Sequence, residues 1–188
     1  MYSRELAQIF DGLDRPIVLV GMMGAGKSFL GKRLAEVLGL SFFDTDSLIE
    51  ERAGLSVSEI FERFGEARFR EIEHKTIAEF MARQGACVLA TGGGALTNPE
   101  TLALLKAQGV MLWLNVDFPV MWARIKESRH RPLMKTDDPE ETLRRLLENR
   151  MPLYVQAPIH IAIGNEKADA CVEAMIKALF EYLKKGSV

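Results

Sequence analysis

The segment Gly21-Met22-Met23-Gly24-Ala25-Gly26-Lys27-Ser28 constrains this chain more than any other, because it fits G-x-x-x-x-G-K-[ST] and follows directly on the apolar run Ile17-Val18-Leu19-Val20. A strand that runs through a glycine loop into a helix lets successive backbone N–H groups curl around phosphate oxygens at the positive end of the helix dipole. The helix itself is expected from Leu30, Leu34, Ala35 and Leu38 at helical spacing, with Gly39 as its stop. In that setting Lys27 meets the β- and γ-phosphates of a nucleotide, and Ser28 ligates Mg²⁺.

The 188 residues suit one domain spanning 1–188, long enough for a sizeable core. A content of 48% hydrophobic and 27% charged residues excludes a disordered or fibrous chain. With 24 basic against 26 acidic residues the net charge is -2, so no global field attracts nucleic acid and any positive site must be local. Cys87 and Cys171 have neither metal-ligand spacing nor partners for a disulfide framework, which points to a reducing compartment. No apolar run approaches the length of a membrane span, and Met1-Tyr2-Ser3-Arg4-Glu5 lacks the apolar core of a signal peptide. A cytoplasmic protein without membrane or nucleic-acid partners is expected.

Strands are predicted at Ile17 to Val20, Leu40 to Phe43, Cys87 to Ala90, Val110 to Leu114 and Ile159 to Ile163. Between them lie helical patterns. A short helix is predicted from Arg4 to Leu13, and one after Asp44-Thr45-Asp46 closes at Gly54. Ser56-x-x-Glu59 forms a capping box, with Leu55 and Ile60 as a hydrophobic staple, for a helix ending before Gly65. The next helix, Glu66 to Arg83, carries an apolar stripe through Phe69, Ile72 and Phe80, while Arg70 and Glu73 share another face. Asn98-Pro99 opens a further helix, and Phe118 to Lys126 another. Asp138-Pro139 starts one expected to stop at Pro152, and Ala168 to Lys184 closes the series. Strands alternating with helices predict an α/β protein with a parallel sheet covered on both faces, and ligands in such sheets gather at the carboxyl ends of the strands. Asp44, Asp46 and Gly92-Gly93-Gly94 all fall at such ends.

The phosphate loop, Asp44-Thr45-Asp46, Phe69-Arg70 with Glu73, Gly92-Gly93-Gly94, Arg131-Pro132-Leu133-Met134, and Arg150 ahead of Leu153-Tyr154 occur in the order found in one family. From residue 21 to 154 the chain resembles the shikimate kinases. The resemblance implies a three-layer αβα P-loop kinase fold with a five-stranded parallel central sheet, a substrate region at about 44–84 and a mobile lid at about 124–139. It implies ATP and shikimate as partners, Mg²⁺ as cofactor and a monomer. Gly24, Ala25, Gly26, Lys27, Ser28, Phe29, Arg124 and Arg131 are then expected on the nucleotide, with Arg124 stacking on adenine and Arg131 closing from the lid. Ser28 and Asp44 are expected on the metal.

Asp46, Arg70, Gly92, Gly93, Gly94 and Arg150 are expected on shikimate, and Lys27, Asp46 and Arg131 in catalysis. A planar guanidinium fork matches the two oxygens of a carboxylate, which suits Arg70 and Arg150 to an acid, and Glu73 would hold Arg70 in place. The three glycines would admit a ligand close to bare backbone amides. An unperturbed aspartate titrates near ~3.9 and is a feeble base at neutral pH. Whether Asp46 removes a proton or only positions the hydroxyl therefore stays open, as does its role, or that of Asp44, as a helix cap. Another small P-loop kinase acting on gluconate or a nucleoside monophosphate, or a binding domain without turnover, are the alternatives. His74, His130 and His160 receive no role, Trp113 and Trp122 are expected in the core, and the methionines, Met22 and Met23 included, as space fillers.

Overall fold

β1 (Ile17–Val20) is inaccessible to solvent along its whole length and lies at the centre of a five-stranded sheet ordered β2-β3-β1-β4-β5. The computed structural model describes residues 10, 12–126, 132–134 and 136–186. β2 (Phe42–Asp44), β3 (Val88–Ala90), β4 (Val110–Val116) and β5 (Ile159–Ile163) all run parallel to their neighbours. Burial on both faces explains the unbroken apolar runs of β1, β3 and most of β4, whereas edge strand β5 alternates buried Ile159, Ile161 and Ile163 with exposed His160 and Ala162.

The seven helices among the described residues are α1 (Lys27–Leu38), α2 (Thr45–Ala53), α3 (Val57–Met81), α4 (Pro99–Gln108), α5 (Phe118–Ile125), α6 (Pro139–Tyr154) and α7 (Ala168–Gly186). Successive side chains of β1 point to opposite faces: Leu19 meets Gly31 of α1, and Val18 meets Gly109 at the end of α4. Helices α1 and α7 pack together, on β3 and β5 respectively, while α3 packs on α4 and α4 on β4. This is the expected αβα sandwich. Among the described residues no helix is long and apolar enough to cross a membrane.

The local signals behave as expected. Ser56 and Glu59 make both halves of the capping box, and α3 breaks at Gly65, where φ is 78°. The preceding turn packs Leu55 and Val57 on Ile49, Ile60 and Phe69, a satellite core that braces α2 against α3. Asn98 caps α4 through Oδ1, which accepts from Glu100 and Thr101 N–H at 2.8 and 3.0 Å.

Pro152 does not stop its helix. α6 runs through it to Tyr154, because Tyr154 is 1% exposed, stacks on Trp113 at 6.1 Å between ring centroids and donates its hydroxyl to the Gly93 carbonyl at 2.5 Å. A proline inside a helix costs about 3 kcal/mol, and burial of this side chain with its hydrogen bond offsets that cost over a single turn. β4 also extends two residues beyond the predicted strand, where β5 pairs Asn115 and Val116 with Ala162 and Ile163. Most of the helix predicted at Arg4 to Leu13, together with His130, lies outside the described residues.

Candidate active site

The loop between β1 and α1 holds Gly24 and Gly26 at φ 77° and 85°, conformations that residues with a side chain rarely adopt. No side chain caps the N-terminus of α1, so its first amides stay available to an anion. Lys27 is 8% exposed, and its ammonium donates to the carbonyls of Gly21 at 2.7 Å and Met22 at 2.9 Å, which holds the charge across the mouth of the loop. A cavity of about 360 Å³ opens here, lined by Lys27, Ser28, Asp44, Asp46, Phe29 and Arg124 among others. Arg124, in the last turn of α5, is exposed and reaches the Gly24 carbonyl at 3.3 Å, and its neighbouring cleft continues past Phe29, Ile163 and Cys171. Phe29 is 57% exposed with the Arg33 guanidinium over its ring.

At the carboxyl end of β2, Asp44 is both cap and site residue. Its Oδ1 accepts from the Asp46 N–H at 3.0 Å, and its Oδ2 accepts from the Ser28 hydroxyl at 2.5 Å. Asp46, in the first turn of α2, departs from the feeble base expected of a free aspartate. Burial, then the nearby charges of Asp44 and Glu73, push its carboxyl up to about 6, with Lys27 opposing.

Beyond Asp46 a second cavity, of about 470 Å³, is lined by Glu50, Phe61, Arg70, Leu133 and Arg150 among others. Arg70 donates through Nη1 to Glu73 Oε2 at 2.5 Å, and through Nε and Nη2 to Glu66 Oε1 at 3.3 and 3.0 Å. The Phe69 ring also lies 5.1 Å from its guanidinium carbon. Glu73 is 1% exposed, and burial pushes its carboxyl up while Arg70 and Arg150 oppose the shift. Arg150, on α6, is 5% exposed and forms no salt bridge with any described residue. Two guanidinium groups thus face one cavity, Arg70 half-buried and hydrogen-bonded to two carboxylates, Arg150 buried and near Glu73 without a salt bridge to it.

Two of the three glycines also leave room for neighbouring side chains. A Cβ on Gly94 would run into the Arg70 guanidinium, and one on Gly92 into Glu73 Oε1, so these positions make room for the protein's own ion pair. Gly93 and Gly92 do line both cavities, and the Gly92 N–H donates to Thr45 Oγ1 at 3.0 Å. Met22 is more than a space filler, since its sulfur lies 3.5 Å from the Tyr154 hydroxyl and 3.8 Å from Arg150 Nη1. Nothing in the sequence marked Met22 or Glu50, whereas Glu66 could have been found from its i,i+4 spacing to Arg70. Arg131 lies outside the described residues.

The family model for shikimate kinase matches residues 23–180. The chain belongs to the shikimate kinase family. It is 45% identical over 180 residues to the shikimate kinase of Paramagnetospirillum magneticum, covering 95% of this chain and 92% of that one. To the shikimate kinase of Rhodopseudomonas palustris it is 44% identical over 182 residues, covering 96% and 89%. The structure resembles shikimate kinase from Acinetobacter baumannii in complex with shikimate, with a TM-score of 0.85, 35% identity and coverage of 94% and 98%. Shikimate kinases are ATP-dependent phosphotransferases, and the phosphate loop, buried lysine and adjoining cavity described above have the form such an activity needs.

Proposed function

We propose that this chain transfers the γ-phosphoryl group of ATP to the 3-hydroxyl of shikimate, giving ADP and shikimate 3-phosphate. One observation carries the reading: Met23, Asp46, Gly92 and Gly93 line both cavities, so the phosphate loop and the two arginines open on opposite sides of the same carboxylate. An acid held by Arg70 and Arg150 would present its hydroxyls toward Asp46 and the end of a bound triphosphate.

In this reading Gly24, Ala25, Gly26, Lys27, Ser28 and Phe29 bind the nucleotide, Arg124 stacks on its base, and Arg131 closes on the transferring group. Asp46 orients the attacking hydroxyl, and its raised carboxyl pKa is in the direction of a better proton acceptor. The hydroxyl oxygen forms its bond to the γ-phosphorus as the bond to the β-bridging oxygen breaks, and the hydroxyl proton passes to the Asp46 carboxylate. A loose transition state of this kind gains most from positioning and charge neutralisation, which Lys27 and Arg131 supply. Glu73 keeps Arg70 aimed at the acid, and Gly94 gives it room.

Ser28 Oγ and Asp44 Oδ2, 2.5 Å apart beside the phosphate loop, are hard oxygen donors of the type Mg²⁺ prefers, and they would hold the ion that accompanies a nucleotide. When bound it would neutralise charge on the β- and γ-phosphates.

ADP release should be measured with shikimate, gluconate and nucleoside monophosphates in turn, with and without Mg²⁺. Turnover with shikimate and Mg²⁺ alone is the expected result. Turnover with another acceptor, or tight shikimate binding without phosphoryl transfer, would overturn it.

A further inference from the structure

Arg70 and Arg150 face the same cavity but are held by different chemistry. Arg70 is clamped by Glu66 and Glu73, which consume three of its donor positions and cancel its charge. Arg150 has no such clamp, and it is more deeply buried. A long, flexible cation with no fixed partner would sample several rotamers and pay entropy on meeting an acid. Something must hold it in place without taking the hydrogen bonds the acid needs.

Arg150 Nη1 lies 3.8 Å from the Met22 sulfur, and its guanidinium also hydrogen-bonds the Tyr154 hydroxyl. The same sulfur lies 3.5 Å from the Tyr154 hydroxyl, which donates to the Gly93 carbonyl at 2.5 Å. Met22 and Tyr154 are each 1% exposed, and Tyr154 stacks on Trp113, so this group is packed rather than free to wander. Burial pushes the Tyr154 phenol up to about 12, which keeps it a neutral donor at working pH. The main chain of Met22 belongs to the phosphate loop, and its carbonyl accepts from Lys27 at 2.9 Å. One residue therefore touches the nucleotide lysine through its backbone and the acid-facing arginine through its side chain.

We propose that Met22 and Tyr154 are positioning residues for the acceptor: together they seat Arg150 in register with the phosphate loop and the Gly93 carbonyl. A thioether is a weak, uncharged acceptor. It fixes the direction of the guanidinium without adding a negative charge beside it, so the incoming carboxylate becomes the strong hydrogen-bond partner. A carboxylate in the place of Met22 would seat the arginine equally well and compete with the substrate. The inference rests on the reading that Arg150 holds the acid.

The test is steady-state kinetics on Met22→Leu, which keeps the volume and removes the sulfur, on Tyr154→Phe, which removes only the hydroxyl, and on the double variant. Each single change is expected to raise the KM for shikimate about fivefold, a loss of the size of one modest hydrogen bond, with kcat and the KM for ATP within about twofold. The double variant should fall short of the product of the two single effects, because both act through one seat. A shikimate KM within about twofold of the parent in both single variants would overturn the proposal, as would an equal rise in the KM for ATP, which would mark general damage to the loop. Multiplicative effects in the double variant would also overturn it. A parent enzyme that releases no ADP with shikimate would instead defeat the functional reading itself.

Discussion

Arg70 Nη1 donates to Glu73 Oε2 at 2.5 Å, and the Glu73 side chain is 2% exposed against 14% for that of Arg70. The pair is buried, one turn apart on a single helix, and the bare backbone of Gly92 and Gly94 is folded against it. Its other carboxylate oxygen, Oε1, has no hydrogen-bond partner among the described residues, so the ion pair supplies most of what offsets the desolvation of Glu73.

Removing Glu73 should therefore cost both stability and acid binding. Breaking a buried pair costs about 3 to 5 kcal/mol when a charge is stranded, and Glu66 remains on Arg70 to reduce this, so about 2 kcal/mol is expected for Glu73→Ala. That corresponds to a fall in Tm of roughly 4 to 8 °C for a chain of this size. The KM for shikimate should rise about tenfold as the Arg70 fork loses its aim. Thermal denaturation and initial rates check the two effects separately.

Gly94→Ala tests the room that the glycines provide. The φ of Gly94 is -103°, so alanine meets no backbone strain there, yet its methyl group would occupy the space of the Arg70 guanidinium. Shikimate binding should weaken by about tenfold or more as the fork is displaced, while nucleotide affinity stays within about twofold. Titration with shikimate and with ADP on the same variant provides the measurement.

Much of this arrangement is legible in local sequence and some of it is not. The phosphate loop, the Ser56 and Glu59 capping box, the break at Gly65 and the Asn98-Pro99 start are set by neighbours within four residues, which is where pattern has its force. Pro152 misleads because the helix past it is held by Tyr154, whose partners Gly93 and Trp113 lie far off in sequence. The same distance hides the burial that raises Asp46 and the Met22 contact to Arg150, separated by 128 positions. Gly92-Gly93-Gly94 announces a close approach without saying what approaches: at Gly92 and Gly94 it is the side chains of Glu73 and Arg70, and at Gly93 the backbone of the phosphate loop.

Asp46 should make the metal-free protein less stable as the pH rises. Burial holds its carboxyl at about 6 in the folded chain against an ordinary 3.8, so the folded state holds the extra proton between those values. Stability is then greatest below the unfolded pKa and is lost as the pH climbs through about 6, by about 3 kcal/mol. Asp46→Asn removes this dependence. In EDTA at neutral pH it should melt several degrees above the parent, and it should lose about a hundredfold or more in kcat with Mg²⁺ restored. Melting curves across the acid range, with and without the substitution, test the sign.

Lys27→Ala and Arg150→Ala should separate chemistry from acceptor binding. The lysine variant is expected to lose about a hundredfold or more in kcat, since it removes a charge aimed at the transferring group. The arginine variant should raise the KM for shikimate about a hundredfold with a smaller effect on kcat, as a buried charge-assisted contact is lost.

Phosphoryl transfer to shikimate here requires an organic acid and a triphosphate to meet across Asp46. The most direct measurement is the identity of the product formed from ATP, Mg²⁺ and shikimate, read by phosphorus NMR and mass spectrometry. A single phosphate ester on the 3-hydroxyl of shikimate, formed in step with ADP, is the predicted result. ADP with free inorganic phosphate and unmodified shikimate would contradict it.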